Sequence, residues 1–317
     1  MACNIAFVGC GVISKHHLDA IAALDRGVVT VTAVIEPNAE RLAACADAVE
    51  KALGARPAEF ASLAVAAAAD PDKAIFDSVD VMVPSLGPLH ETIGVEALKL
   101  GYHVHMEKPV SNSVASAERL VAAQAEGLVL MVAENSQYWR EVVEAQRLIA
   151  EGAIGEVLTA RAKFWESGHP KLNDWAAQGS YDKGSYICEG TEGFVFDGGL
   201  HWLRPLRMLM GEVTHVVSTS GPSIPHMSGP GQTQALLKFA SGKSAIFESI
   251  LAPGAISDQP FFQVQGTAGE IVIDGFEGGA RMYTVTVHAS RFSSAVSAVA
   301  PALTLLFWFP GRRHGVH

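Results

Sequence analysis

The sequence predicts an α/β protein: a doubly wound parallel sheet of the Rossmann type in its N-terminal part, then an α+β domain with a mainly antiparallel, open sheet. Three observations lead there. From Asn4 to Ala133, short β-branched runs alternate with alanine-rich stretches of helical period, the rhythm of βαβ units. After about Glu151, alternating strands follow one another with a single substantial helix among them, the pattern of an antiparallel sheet. A chain of 317 residues also exceeds what one compact core usually organises, so two domains are expected.

In order, the parallel half is expected to place strands at Ile5 to Val8, Val29 to Ile35, Val79 to Val83, Tyr102 to Met106 and Leu128 to Val132. Helical periodicity fills the gaps: a run from about Val12, then Ala39 to Leu53, Glu91 to Leu100 and Val114 to Glu126. Trp139 to Glu151 reads as a linking helix. The second half offers strands at Gly155 to Trp165, Val213 to Ser218, Thr233 to Phe239, Lys243 to Ile250, Phe261 to Gln265, Glu270 to Ile273 and Met282 to Val287. Gly198 to Met210 is its one substantial helix. The expected division is residues 1–135, residues 136–287 and an atypical apolar tail, 288–317.

Composition narrows the function classes. Hydrophobic residues make up 49% and charged residues 18%, which describes an ordered globular chain. A net charge of −10 argues against nucleic acid or an anionic membrane as the main partner, since both demand basic surface, and favours a small molecule. Cys3, Cys10, Cys45 and Cys188 are scattered without a CxxC pair, so neither a disulfide framework nor a metal centre is expected. The chain opens directly into a strand and a glycine turn with no secretory leader pattern, and a cytoplasmic protein is expected.

The motif "FVGCGVIS" sets Gly9 and Gly11 between the first strand and a helical run beginning at Val12 and Ile13. Backbone bare of side chains at that turn lets a pyrophosphate approach a helix N-terminus, where unpaired N–H groups and the dipole favour anions. Ser14 stands where a third glycine is usual, and an ordinary tight strand-to-helix turn is the competing reading. Glu36 ends the second strand, in "VTAVIEPN", roughly where a Rossmann fold sets an acid on the adenosine ribose. A carboxylate there repels a 2′-phosphate, so NAD is expected over NADP; a solvated strand end is the alternative. "VMVPSLGPLHET" ends a third strand with Pro84 and begins a helix near His90, at the carboxyl edge where such folds bind ligands.

"YHVHMEKPV" alternates so that Tyr102, Val104 and Met106 share one face and His103, His105 and Glu107 the other. Lys108 is then the first residue to leave the sheet at that edge, and Pro109 disfavours a helical backbone for it. Two readings of Lys108 stand side by side: a cation aimed into the ligand crevice, and a surface lysine paired with Glu107. Asp197 and His201, in "FDGGLHWL", are four apart and so share one face of a helix beginning near Gly198. Such a pair suits acid–base work near neutral pH. It is also half of a metal site, but nothing nearby in the sequence completes it.

Taken in order and spacing, "FVGCGVIS", "IEPN", "VPSLGPLHE", "EKP" and "DGGLH" resemble the Gfo/Idh/MocA oxidoreductases over about residues 4 to 285. The resemblance implies a Rossmann domain binding a nicotinamide cofactor, with Gly9, Gly11, Val12, Ile13, Glu36, Pro84, His90, Glu107 and Lys108 as contacts. It implies a second domain that shapes the substrate cleft and offers its sheet for a homo-oligomer. It also implies catalysis by Lys108, Asp197 and His201 on a hydroxyl or carbonyl of a sugar, inositol or related polyol. Two other activities remain open: an NAD-dependent glycosidase, in which hydride is removed transiently, and a silent NAD-binding protein. The chain departs from the family at Thr191-Glu192-Gly193, at Arg204, and from about His288 onward, where the text reads as a truncated or altered terminus. Phe292 to Phe309 lacks charge, but Pro301 and a Ser/Ala-rich first half speak against a membrane span.

Overall fold

The computed structural model describes residues 3–25, 27–83, 89–256, 261–274, 283–289 and 304–307. The chain divides into two compact units, Met1–Glu134 and Asn135–His317.

The first unit alternates strand and helix: β1 (Cys3–Val8), α1 (Val12–Ala22), β2 (Val29–Ile35), α2 (Ala39–Leu53), β3 (Ala58–Phe60), α3 (Leu63–Ala69), β4 (Ser78–Val81), α4 (Leu89–Lys99), β5 (His103–Met106), α5 (Val114–Ala123) and β6 (Leu130–Val132). All neighbouring strands pair in parallel, in the order β3-β2-β1-β4-β5-β6. The order reverses between β1 and β4, so the loops leaving those two strands splay apart and open a crevice at the carboxyl edge. Helix ends are set locally. Asn38 accepts the Arg41 N–H at the start of α2, Gly54 closes it with φ 86°, and Ser62 and Ser113 cap α3 and α5. Apolar side chains bury both faces of the sheet: Phe7, Val34 and Met82 toward α1 and α2, and Ala6, Val81, Val104 and Met106 toward α3, α4 and α5. Short β3 and α3 were not visible as separate periodic segments, being too brief to show a period.

The second unit opens with a 3-10 turn at Asn135–Tyr138, then α6 (Arg140–Ala150), β7 (Val157–Ser167), α7 (Asp174–Ala177) and α8 (Tyr186–Glu189). A helical run follows, π-wound at Val195–Gly199 and continuing as α9 (Leu200–Met210). The strands β8 (Val213–Gly221), β9 (Gln232–Phe239), β10 (Ser244–Ala252), β11 (Phe261–Gly266), β12 (Gly269–Asp274), β13 (Tyr283–Ala289) and β14 (Thr304–Phe307) complete an eight-stranded sheet ordered β14-β13-β12-β11-β7-β10-β9-β8. Antiparallel pairing holds everywhere except between β10 and β7, which run parallel. The exception follows from the crossover: α9 carries the chain from central β7 to the far edge, and two reversals return β10 beside β7 in the same direction. The core lies between this sheet and α6 and α9, where Val142, Leu148, Trp202 and Leu206 meet Ala160, Ala162, Phe247 and Phe262.

Apart from 288–289 and Thr304–Phe307, the tail lies outside the described residues, and with it the question of its solubility. Among the described residues no helix is long and apolar enough to cross a membrane.

Candidate cofactor and catalytic site

The glycine turn after β1 has two glycines with different reasons. Gly9 adopts φ +95°, and a Cβ there would lie 3.0 Å from the Met82 carbonyl and from the Val83 side chain, so no other residue fits. Gly11 immediately precedes α1, and a Cβ built on it meets nothing within 4 Å. Its bareness therefore keeps space open above the helix N-terminus, whose N–H groups receive no side-chain cap. Ser14 occupies the third-glycine position without closing that space, because its hydroxyl turns back to donate to the Gly11 carbonyl at 2.7 Å. Val12 is exposed, and Ile13 packs into the α1–α2 core.

Glu36 follows β2 directly and is only 5% exposed. Its carboxylate accepts the Cys10 N–H at 3.1 Å, the Asn38 N–H at 3.0 Å and the Arg41 guanidinium at 2.7 Å. Burial alone would raise its pKa. Arg41 and the two backbone donors outweigh that and hold it below the ordinary carboxylate range. The acid thus ties the glycine turn to the end of β2. A carboxylate offers about four acceptor positions, so one remains for a further donor such as a ribose hydroxyl.

Pro84 lies outside the described residues. His90 requires a correction. It begins α4 but is 0% exposed, with Nδ1 2.9 Å from the Pro109 carbonyl and Nε2 2.9 Å from the Val83 carbonyl. A ring so enclosed cannot touch a ligand; it pins the loops after β4 and β5 together. Burial pushes its pKa below the ordinary histidine value.

The strand β5 carries the predicted alternation, with Val104 and Met106 buried and His103 and His105 on the other face. Lys108 leaves the sheet half-buried, its peptide to Pro109 is cis, and its N–H donates to Glu107 Oε2 at 2.8 Å. Glu107 Oε1 is 3.1 Å from Nε2 of His17, which projects from α1. The other nitrogen of that ring, Nδ1, is 2.6 Å from Asp80 Oδ2, and Asp80 Oδ1 is 2.8 Å from Nδ1 of His105. Burial would lower the pKa of His17, but the hydrogen bonds and charges of Asp80 and Glu107 overcome it and raise it from 6.5 to about 9. Asp80 is correspondingly held below its ordinary range against the opposing effect of burial. The sequence reading missed His17 and Asp80. A signal existed: Asp80 is an acid inside the β-branched strand "SVDV", a placement that demands a partner.

In the second unit, Asp197 lies in the π-wound turn and His201 in α9, so the helical run starts three residues before the expected Gly198. Asp197 and His201 are both half-buried, and the His201 ring centroid is 6.3 Å from that of Trp139. The two glycines between them are steric necessities. A Cβ on Gly198 would collide with the rings of Phe164 and Phe194, and one on Gly199 would press on Val195, Ser249 and Phe247. The helix start is thereby seated directly on β7 and β10. Wider winding of this kind is frequent at functional sites. Of the departures from the family pattern, Gly193 takes φ +78° against Pro230, and Arg204 donates to Gln137 at 2.8 Å.

Comparison with known proteins matches two family profiles: residues 3–134 to the oxidoreductase family with an NAD-binding Rossmann fold, and residues 142–272 to the GFO/IDH/MocA C-terminal domain. The chain is 26% identical to the D-apiose dehydrogenase of Paraburkholderia graminis over 307 residues, covering 94% of this chain and 73% of that protein. It is 30% identical to the 2,7-anhydro-N-acetylneuraminate hydratase of Escherichia coli over 225 residues, covering 68% of this chain and 56% of that one. Among solved structures, a levoglucosan dehydrogenase in complex with NADH and L-sorbose superposes with a TM-score of 0.76 at 20% identity, covering 98% of this chain and 80% of that one. The WlbA dehydrogenase from Bordetella pertussis, in complex with NADH and UDP-GlcNAcA, gives 0.71 at 22%, covering 86% and 74%. At these identities the structural likeness speaks to the fold.

Proposed function

The chain belongs to the Gfo/Idh/MocA oxidoreductases, and from that premise we propose that it transfers hydride between NAD and a hydroxyl or carbonyl of a sugar, inositol or related polyol. One observation carries the reading. At the reversal between β1 and β4, an uncapped helix N-terminus with open space above Gly11 sits beside a buried carboxylate, Glu36, that keeps an acceptor position. A dinucleotide needs an anion site and a ribose acceptor side by side, so the residues present fit the cofactor. When bound, NAD supplies the hydride acceptor.

The chain's own groups would do the rest. Gly9, Gly11, Val12 and Ile13 shape the pyrophosphate turn, Glu36 holds the ribose, and Glu107 fixes the backbone of Lys108. The ammonium of Lys108 polarises the reacting oxygen, His201 takes the hydroxyl proton, and Asp197 orients His201 and steadies its cation. A neutral substrate rich in hydroxyls is compatible with the acidic chain expected from the sequence.

A second reading is favoured by the hydratases among the relatives. Net hydration involves no change of oxidation state, so hydride taken by the cofactor would be returned within one turnover. A panel of sugars and polyols, followed by NADH absorbance and by product chromatography, tests both. NADH accumulation supports the dehydrogenase, new product without NADH supports the second reading, and neither in the presence of tight NAD binding leaves a silent NAD-binding protein.

The second unit's sheet also has an exposed apolar row. Val217, Leu236 and Ile246 pair across β8, β9 and β10, at 72%, 51% and 43% exposure. A face of this kind supports a homo-oligomer. Light scattering of the wild type and of Leu236→Glu would decide it: the wild type is expected above monomer mass and the variant at monomer mass.

A further inference from the structure

We propose that His17, Asp80 and His105 form a binding site for a divalent transition-metal cation, with zinc as the preferred ion and Glu107 as its outer partner. The ligand atoms of the three residues lie within 4.8 Å of one another, and all belong to the first unit. The backbone fixes their convergence. Asp80 and His105 are register partners on adjacent parallel strands, so their side chains rise together from one face of the sheet. The same row begins with Phe7, the partner of Asp80 on β1, and helix α1 covers it and lowers His17 onto Asp80.

The donor set selects the class of ion. Two imidazoles with one carboxylate suit zinc and its neighbours, whereas magnesium and calcium want oxygen throughout. Three protein ligands with a fourth position left to water is a familiar zinc arrangement. The fit requires a modest rearrangement. Ligands about 2.0–2.2 Å from a tetrahedral ion are roughly 3.3 Å apart. The contacts of His17 and His105 to the two oxygens of Asp80, at 2.6 and 2.8 Å, must open slightly to admit the ion, and His105, 39% exposed at its side chain, is placed to make that adjustment.

Glu107 supplies what a set of three ligands lacks. A metal-bound histidine usually donates its remaining ring N–H to a carboxylate, which fixes its tautomer. His17 already has Nε2 3.1 Å from Glu107 Oε1, so an ion that displaces the proton on Nδ1 would meet the Nδ1 lone pair at the shared centre. Charge balance agrees: two carboxylates and two neutral imidazoles carry −2, which a divalent cation cancels inside a largely buried cluster. The sequence reading expected no metal, because the cysteines are scattered and nothing nearby completes Asp197 and His201; positions 17, 80 and 105 share no local spacing that would have shown this cluster.

The test uses the full chain stripped with EDTA. Cobalt(II) is added as a spectroscopic probe, and zinc is then titrated by calorimetry. One cobalt per chain with the strong visible bands of four-coordinate geometry is expected, displaced by one zinc. His105→Ala should abolish the bands while leaving the melting transition in place, and His105→Cys should restore binding with an added thiolate charge-transfer band. Glu107→Gln should keep the stoichiometry and weaken zinc affinity about 10–100-fold. Absence of stoichiometric binding in the wild type, or binding unchanged in His105→Ala, would overturn the proposal and leave the cluster as a proton-bridged network. The readout is binding, so its outcome is independent of whether the chain transfers hydride.

Discussion

The two units place functional groups by opposite means. In the first, charged side chains are sunk into the sheet edge and held by hydrogen bonds: Glu36 by two backbone N–H groups and Arg41, Asp80 by two histidines, His17 between two carboxylates. In the second, Asp197 and His201 are positioned by shape. Gly198 lets the helix start press on Phe164 and Phe194, and Phe164 stacks at 4.1 Å on Trp202, the residue after His201. An electrostatic scaffold responds to pH and charge, whereas a steric one responds to volume. The contrast teaches which perturbation each half should feel, and it can be broken or sharpened experimentally.

The largest effect is expected at the residues assigned to the chemistry. Lys108→Ala and His201→Ala should each lower turnover by roughly 10²–10⁴-fold, about 3–5 kcal/mol of transition-state stabilisation, with NAD affinity largely kept. Steady-state kinetics with a substrate from the panel checks this, and near-normal turnover in either variant would remove that residue from the mechanism.

Next comes Asp80→Ala, which leaves His17 and His105 without their shared acceptor. Breaking a buried pair typically costs 3–5 kcal/mol, and about 3 is expected here because His17 can discharge by losing its proton. Urea unfolding measures it; a loss under 1 kcal/mol would show that hydrogen bonding is not what holds the first unit's edge.

The same network should make the first unit sensitive to alkali. The folded-state pKa of His17, about 9, lies above its ordinary 6.5, so the folded chain binds the extra proton more tightly. Its stabilising contribution is full below about pH 6.5 and disappears as pH rises through about 9. The ceiling, from 1.36 kcal/mol per unit, is about 3 kcal/mol, and coupling to Asp80 should bring the observed loss nearer 2. Melting curves of the EDTA-stripped chain across that window should fall for the wild type and flatten for His17→Gln.

Gly198→Ala tests the steric half. One methyl forced against Phe164 and Phe194 should cost about 1–3 kcal/mol and should lower turnover by displacing Asp197 and His201, with no pH dependence of the stability loss. Normal turnover would mean that the helix start is not the positioning device. The smallest effect concerns the cofactor. NAD should bind more tightly than NADP by about 1 kcal/mol, because Glu36 repels a 2′-phosphate while Arg41, lying on it, offsets part of that repulsion. Calorimetry with both nucleotides decides it, and Glu36→Gln should erase the difference.

The sequence by itself determined the two-domain α/β organisation, the strand ends that carry Glu36 and Lys108, and the helix that carries His201. Those features rest on periods of 2 and 3.6 residues and on glycine, proline and serine acting within a few positions, and α2 at Ala39–Leu53 matches its predicted bounds for that reason. Only the tertiary structure decided the rest. It buried His90 between the Val83 and Pro109 carbonyls, wound Val195–Gly199 wide over β7, and turned β10 parallel to β7. It also brought His17 to Asp80 across 63 positions and to Glu107 across 90. Each outcome depends on which strand becomes a neighbour and which helix crosses it. That is a property of long-range packing, and no local period in the chain encodes it.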